Sequence, residues 1–418
     1  MRRADPDLIR FFSHTPVSNK GQATTMNGIF SDRMQDVPRS FIREILKVTT
    51  DPGIISFAGG LPNRAFFPID ELRAAADRVF AEQGADCLQY SNSEGLLELR
   101  AFIAQRYQEQ QGIKLDPEQI LITNGSQQAL DLLAKVVLND GERVIIEEPG
   151  YLGAIQALSL YRPRYLPVPV HDDGIAVDQL ARAVAKGQPR LMYTVPNFQN
   201  PSGISYSSEN RRAVADIIAG RDLLLIEDDP YGALRFSGAA IPSFYHLLPD
   251  QTVLLGSFSK VVVPGFRLGW IAAPAELYEK LLIAKQAADL HTCNFTQYIL
   301  LRYLRDNDLD RHISRIIDAY GRQCRAMLAA IDRSFPDTVT CTRPNGGMFL
   351  WGRLPDGLPA LDLFDRAVAR RVVFVPGEPF YTAAGATSTF RLNFSCVDES
   401  VIADGIGRIA DALGEMIT

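Results

Sequence analysis

Lys260 is the residue best placed to do covalent chemistry in this chain. It sits in Ser257-Phe-Ser-Lys260-Val-Val-Val-Pro-Gly-Phe-Arg267-Leu-Gly, directly after the apolar run Val253-Leu-Leu-Gly and before three valines. A lysine in such surroundings loses hydration, which favours the neutral amine and therefore Schiff-base chemistry. Ser257, Ser259 and Arg267 bring hydroxyl and guanidinium donors to the same point, a set suited to a phosphate dianion. The competing reading is a lysine that snorkels to water beside two surface serines. Four suited groups within eleven positions weigh against it.

Three other segments carry groups of the same kind. Asn124-Gly-Ser-Gln-Gln follows Ile120-Leu-Ile-Thr and opens a helical pattern. Ser126 can cap that helix, whose free N–H groups favour an anion; an ordinary cap with no ligand is the alternative. Leu223-Leu-Leu-Ile-Glu runs into Asp228, Asp229, Pro230 and Tyr231. This is either an exposed acidic turn or a buried carboxylate that needs a cation, such as the protonated ring nitrogen of a cofactor. Pro196-Asn-Phe-Gln-Asn200-Pro-Ser-Gly is a stiff loop in which either prolyl bond could be cis. Its amide could hydrogen-bond a phenolic oxygen, or the Asn-Pro pair could be a simple turn.

The elements that must position these groups read as α/β. Short apolar runs such as Arg143-Val-Ile-Ile-Glu, Leu191-Met-Tyr-Thr-Val and Arg267-Leu-Gly-Trp-Ile alternate with segments of 3.6-residue periodicity, among them 126–139 and 207–219. Continuous apolar strands flanked by helices imply a mostly parallel sheet covered on both faces. In such a sheet, ligands sit beyond the carboxyl ends of the strands, where all four segments lie. After residue 305 a long helical stretch, 308–334, leads into shorter alternating segments, Gly347-Met-Phe-Leu-Trp-Gly and Thr389-Phe-Arg-Leu-Asn-Phe, which predict hairpin-like strands in a smaller α+β domain. The expected division is an N-terminal arm over 1–30, a segment over 31–60 that packs with the small domain, a large domain over 61–305 and a small domain over 306–418.

Composition narrows the function class. The chain of 418 residues is 46% hydrophobic and 22% charged with a net charge of -6, so it has an ordinary globular make-up with no basic tract for nucleic acid or anionic lipid. Five scattered cysteines without C-x-x-C spacing, and no H-E-x-x-H, point away from disulfide frameworks and zinc. Asp5, Pro6 and Asp7 interrupt the place where a signal core would run, and no apolar stretch approaches a membrane span. The expectation is a cytoplasmic enzyme without metal, membrane or nucleic-acid partner.

Taken together, Ser257-x-Ser-Lys-x6-Arg-x-Gly, the upstream Asp-x-x-Tyr and Asn-Pro-Ser-Gly resemble the fold-type I aminotransferases that use pyridoxal 5'-phosphate, over roughly residues 35–415. Ser56-Phe-Ala-Gly-Gly-Leu-Pro-Asn, Leu88-Gln-Tyr-Ser and Ile226-Glu-Asp-Asp-Pro-Tyr are similar to the branch of 2-aminoadipate and kynurenine aminotransferases, LysN-like enzymes and the effector domains of MocR-type regulators. The resemblance implies a cofactor held on Lys260 as a Schiff base. Asp228 would pair with the pyridinium nitrogen, Asn200 and Tyr231 would bond the phenolic oxygen, and Tyr151 would stack on the ring. Ser126, Gln127, Ser257, Ser259 and Arg267 would hold the phosphate, with Tyr90 reaching it from the second subunit of a homodimer. Arg391 would grip the substrate α-carboxylate, and Gly60 would let the substrate approach the backbone. Arg43, in Ser40-Phe-Ile-Arg-Glu, would either pair with a distal carboxylate or lie on a helix surface.

The implied reaction is transfer of the α-amino group of an L-amino acid, aminoadipate-like, aromatic or branched, to 2-oxoglutarate by a ping-pong cycle. Elimination or decarboxylation on the same cofactor is the alternative within the fold. A ligand-sensing regulator is a further one, disfavoured because only about 35–55 weakly basic residues precede the matching region.

Overall fold

The computed structural model describes residues 29–34, 51 and 53–417. Its strands are β1 (Ile55–Ser56), β2 (Ile120–Thr123), β3 (Arg143–Glu148), β4 (Arg164–His171), β5 (Gly174–Ile175), β6 (Leu191–Thr194), β7 (Leu224–Asp228), β8 (Thr252–Ser257), β9 (Gly269–Ala272), β10 (Thr340–Cys341), β11 (Phe349–Arg353), β12 (Val372–Val373), β13 (Val375–Pro376) and β14 (Thr389–Asn393). β2 to β9 form one sheet in the order β2-β9-β8-β7-β6-β3-β4-β5. Its core, β8-β7-β6-β3-β4, is parallel throughout. β2 is antiparallel to β9, which is antiparallel to β8. Two reversals restore the direction, so β2, β3, β6, β7 and β8 all end at one edge.

That sheet is sequestered on both faces. Every residue of β2, β6 and β8 is buried, as continuous apolar strands between helices require. The helix Gly125–Val137 packs Ala129, Leu130, Leu132, Leu133 and Ala134 inward. Ser207 caps the helix Ser208–Ile218 by accepting from Asn210 N at 3.0 Å, and Asp308 caps the 26-residue helix Leu309–Ser334 by accepting from Arg311 N at 2.9 Å. The C-terminal strands form a separate antiparallel sheet, β10-β11-β14-β13. β1 pairs in parallel with β12, and Phe57 N donates to Val373 O at 2.8 Å, so residues just after 53 are tied to this C-terminal layer.

Several local expectations change. The predicted strand from Arg267 begins only at Gly269, because Arg267 has a left-handed backbone (φ 55°) closing the short turn Pro264–Phe266. Ser126 does not cap its helix. The cap position is Asn124, and Ser126 lies inside the first turn. β11 and β14 are antiparallel neighbours, but a helix (Ala360–Ala369) and two short strands join them in place of a hairpin turn. The cis prolyl bonds are Asn200–Pro201 and Glu148–Pro149.

Gly256 and Trp270 face each other across β8 and β9, and a Cβ on Gly256 would fall within the indole. Trp270 cannot yield easily, since its Nε1 donates to Tyr107 Oη at 3.2 Å and its ring packs on Phe258 at 5.0 Å. Gly256→Ala is therefore expected to cost about 1–3 kcal/mol of stability by overpacking. Urea unfolding followed by Trp fluorescence reads both the loss and the displaced indole.

Candidate active site

The carboxyl edge of the large sheet meets the C-terminal layer at a cavity of about 680 Å³. Twelve of the fourteen residues singled out in the sequence line it, and the exceptions are Tyr90 and Arg43. Tyr90 is 78% exposed and stands edge-on to His291, away from this chain's own cavity. Arg43 lies outside the described residues. Phe380 lines the cavity with Tyr151, whereas Phe198, in the Asn200 loop, is core, packed against Gly346 and Gly347 under the Arg235 guanidinium.

One end of the cavity is built for an anion. Ser126 and Gln127 occupy the first turn of the helix Gly125–Val137, where unpaired backbone N–H groups gather. Gln127 is fixed by its Nε2 donating to Gly153 O at 2.8 Å. Ser257 and Ser259 follow one another at the end of β8, with Ser259 N donating to Ser257 Oγ at 3.1 Å. Arg267 closes this end. Its guanidinium lies over Gly125, at a position where any Cβ would displace it, and its backbone is held in the left-handed region.

The opposite walls hold ionisable groups that the protein leaves incompletely paired. Asp228, at the end of β7, is 1% exposed. Its Oδ2 accepts from Tyr193 Oη at 2.8 Å, while Oδ1 has no partner. Burial pushes its pKa up to about 7, and Asp229 and Glu147 add to the rise against the Tyr193 hydrogen bond. The Lys260 Nζ donates to Gly60 O at 2.7 Å, and burial brings its pKa down to about 8, helped by the Arg391 and Arg267 cations. Arg391, from β14, is also 1% exposed. It donates to Asn200 Oδ1 at 2.8 Å and to Ala58 O at 2.6 Å, its Nε is unpaired, and it makes no ion pair among the described residues. Phe349 and Phe380 lie at 4.4 and 5.2 Å from its guanidinium carbon. Asn200 Nδ2 in turn donates to Tyr231 Oη at 3.3 Å.

Sequence reasoning missed Tyr193 and Phe349. Tyr193 had a signal: a hydroxyl inside a fully buried parallel strand must find a partner. Phe349 had none, because only the register of β11 against β14 brings it beside Arg391.

The donor set fits a phosphorylated pyridine. Phosphate would meet Ser126, Ser257, Ser259 and Arg267, and a protonated ring nitrogen would satisfy the orphaned Asp228 Oδ1. The profile of "Aminotransferase class I and II" matches residues 54–409. This chain belongs to the class I and II aminotransferases. The 2-aminoadipate transaminase of Thermus thermophilus is 43% identical over 381 residues, covering 90% of this chain and 94% of that protein. Among solved structures, the Thermus thermophilus LysN α-aminoadipate aminotransferase, complexed with N-(5'-phosphopyridoxyl)-L-leucine, is 41% identical with a TM-score of 0.88, covering 94% and 98% of the two chains. The Pyrococcus horikoshii kynurenine aminotransferase is 37% identical with a TM-score of 0.90, covering 94% and 99%. The cofactor of this aminotransferase is pyridoxal 5'-phosphate. Among the described residues, no helix is long and apolar enough to cross a membrane.

The lowered Lys260 pKa has a direct readout. In competitive labelling of the cofactor-free protein with acetic anhydride, Lys260 acetylation should rise with pH around a midpoint near 8. Exposed lysines should titrate at about 10.4. Mass spectrometry distinguishes the two, and a Lys260 midpoint at 10 or above would contradict the desolvated setting.

Proposed function

We propose that this aminotransferase moves the α-amino group of an L-amino acid to 2-oxoglutarate in a ping-pong cycle, with Lys260 as the covalent anchor of the cofactor. The observation that carries this reading is the Arg391 guanidinium. It is a buried cation packed against two aromatic rings with no acidic partner among the described residues, and it lines the same cavity as the Lys260 amine. An amino-acid carboxylate would complete its pairing through a bidentate fork.

When bound, the cofactor supplies an electron sink for the pair left by breaking the substrate Cα–H bond. Asp228, through its free Oδ1, would keep a proton on the ring nitrogen, Asn200 Nδ2 and Tyr231 Oη would hydrogen-bond the phenolic oxygen, and Tyr151 would cover the ring. Arg391 orients the substrate, and Gly60 keeps the backbone low where it enters. Once free, Lys260 Nζ takes the α-proton and returns it, work for which a pKa near neutrality is suited.

The substrate range proposed is aminoadipate-like, aromatic or branched, supported by relatives named for 2-aminoadipate and kynurenine and by one complexed with a leucine adduct. Arg43 is proposed as the partner of a distal carboxylate. A homodimer is proposed as well, with the partner's Tyr90 completing the phosphate end. The exposure of Tyr90 beside Leu88 and Leu290, which are 66% and 48% exposed, supports a covered face there.

A donor panel at fixed 2-oxoglutarate, followed by glutamate formation, tests the reading. With amino donor alone, the cofactor absorbance should convert wholly to the pyridoxamine form, whereas a lyase would restore the starting spectrum. Arg391→Lys should raise KM for the amino donor and lower kcat/KM by about 10- to 100-fold, since a point charge replaces a fork. Arg43→Ala should raise KM for glutamate and leave a neutral donor unaffected; unchanged values for both would remove Arg43 from the site.

A further inference from the structure

Glu147 is a buried carboxylate whose one effect described so far is to add to the rise of the Asp228 pKa. It lies in β3, is 1% exposed and makes no ion pair among the described residues. Such a group is tolerated only if hydrogen bonds replace its hydration. Four donors converge on it. Oε1 accepts from Thr194 Oγ1 at 2.7 Å, Val195 N at 3.0 Å and Tyr206 Oη at 2.8 Å, and Oε2 accepts from Gln199 Nε2 at 3.0 Å.

These donors bracket one loop. Thr194 and Val195 lead into it, Tyr206 follows it, and Gln199 sits within it, next to Asn200. Tyr206 N donates to Pro196 O at 2.9 Å and closes the base. The Gln199 amide cannot turn over. Its Nε2 also donates to Pro149 O at 2.7 Å, and its Oε1 accepts from Ser202 N at 2.9 Å and Ser202 Oγ at 2.6 Å. A flip would set an NH2 against the Ser202 N–H. Asn200, held by this clamp, faces Tyr231 with its amide nitrogen and Arg391 with its amide oxygen.

We propose that Glu147 is a positioning residue which, acting through Gln199 and the two ends of the loop, sets Asn200 where one side-chain amide serves the cofactor ring and Arg391 together. The inference rests on the cofactor site proposed above. It makes Glu147 sensitive to a change that alters no shape. In Glu147→Gln the new NH2 must face either Val195 N–H or Gln199 Nε2, both obligate donors as they stand, so one arm of the clamp is lost in either orientation.

The test uses the holoenzyme. Glu147→Gln should raise KM for the amino donor and reduce kcat, lowering kcat/KM by about 10- to 100-fold. The pH midpoint of the bound cofactor's visible absorbance should rise by about one unit, because weakened donation to the ring oxygen favours its protonated form. Affinity for inorganic phosphate in the cofactor-free protein should stay within about threefold, since the phosphate end has separate supports. Tyr206→Phe deletes one donor while keeping the ring against Phe244, 6.2 Å between centroids, and should shift the absorbance midpoint the same way by less. Wild-type midpoint and kcat/KM in both variants would overturn the proposal, even with a lowered Tm. So would an unfolded Glu147→Gln beside an unaltered Tyr206→Phe. A wild-type protein that fails to retain pyridoxal phosphate on Lys260 after borohydride reduction would overturn the cofactor site itself, a separate result.

Discussion

Charge taken out of water has to be paired, and Asp228, Lys260 and Arg391 are each left short of a partner by the protein around them. Asp228 has a hydroxyl on one oxygen and nothing on the other. Lys260 has a single backbone carbonyl. Arg391 has two oxygens and two packed aromatic rings but no carboxylate among the described residues. A folded protein gains nothing in stability from such groups; each holds a free-energy deficit that a complementary ligand removes. The three deficits differ in sign and geometry. A protonated ring nitrogen would answer the first, a carbonyl carbon the second and a carboxylate the third.

That pattern depends on backbone direction. Six strand ends arrive at one edge: β3, β4, β6, β7 and β8 are parallel, and β2 joins them because β9 lies between β2 and β8 and is antiparallel to both. The anion-binding helix start, the Asn200 loop, the end of β7 and the Lys260 loop are then neighbours by construction. Their backbones are fixed in a sheet whose strands are buried on both faces. Arg391 comes from a different sheet and reaches the same cavity through Asn200, so the position of that one amide couples the two layers.

Legibility followed locality. Lys260 could be recognised because its strangeness is local: an ammonium group between a buried strand and three valines. The strand cores could be read from continuous apolar runs. Strand starts were less legible, as the left-handed Arg267 shows: its backbone closes the turn Pro264–Phe266 while its guanidinium lies over Gly125, 142 positions away in the chain. The capping assignment at Ser126 failed for a related reason. A serine at a helix start reads as a cap, yet the cap position is Asn124, which leaves Ser126 two positions further in, among the residues that line the cavity.

By itself the sequence determined the class of fold, where the strand cores run along the chain, which lysine is the candidate for covalent chemistry and the kind of anion its neighbours suit, since propensity, hydrophobic period and side-chain chemistry are local properties. The tertiary structure decided which of those groups are dry and which are partnered. The four donors on Glu147 and the Asn200–Arg391 hydrogen bond join residues 47 to 191 positions apart, and the burial of Asp228 with one free oxygen and the packing of Phe349 and Phe380 on Arg391 are likewise fixed only in the packed chain. Desolvation and hydrogen-bond saturation depend on everything that surrounds an atom, and only the packed chain specifies those surroundings.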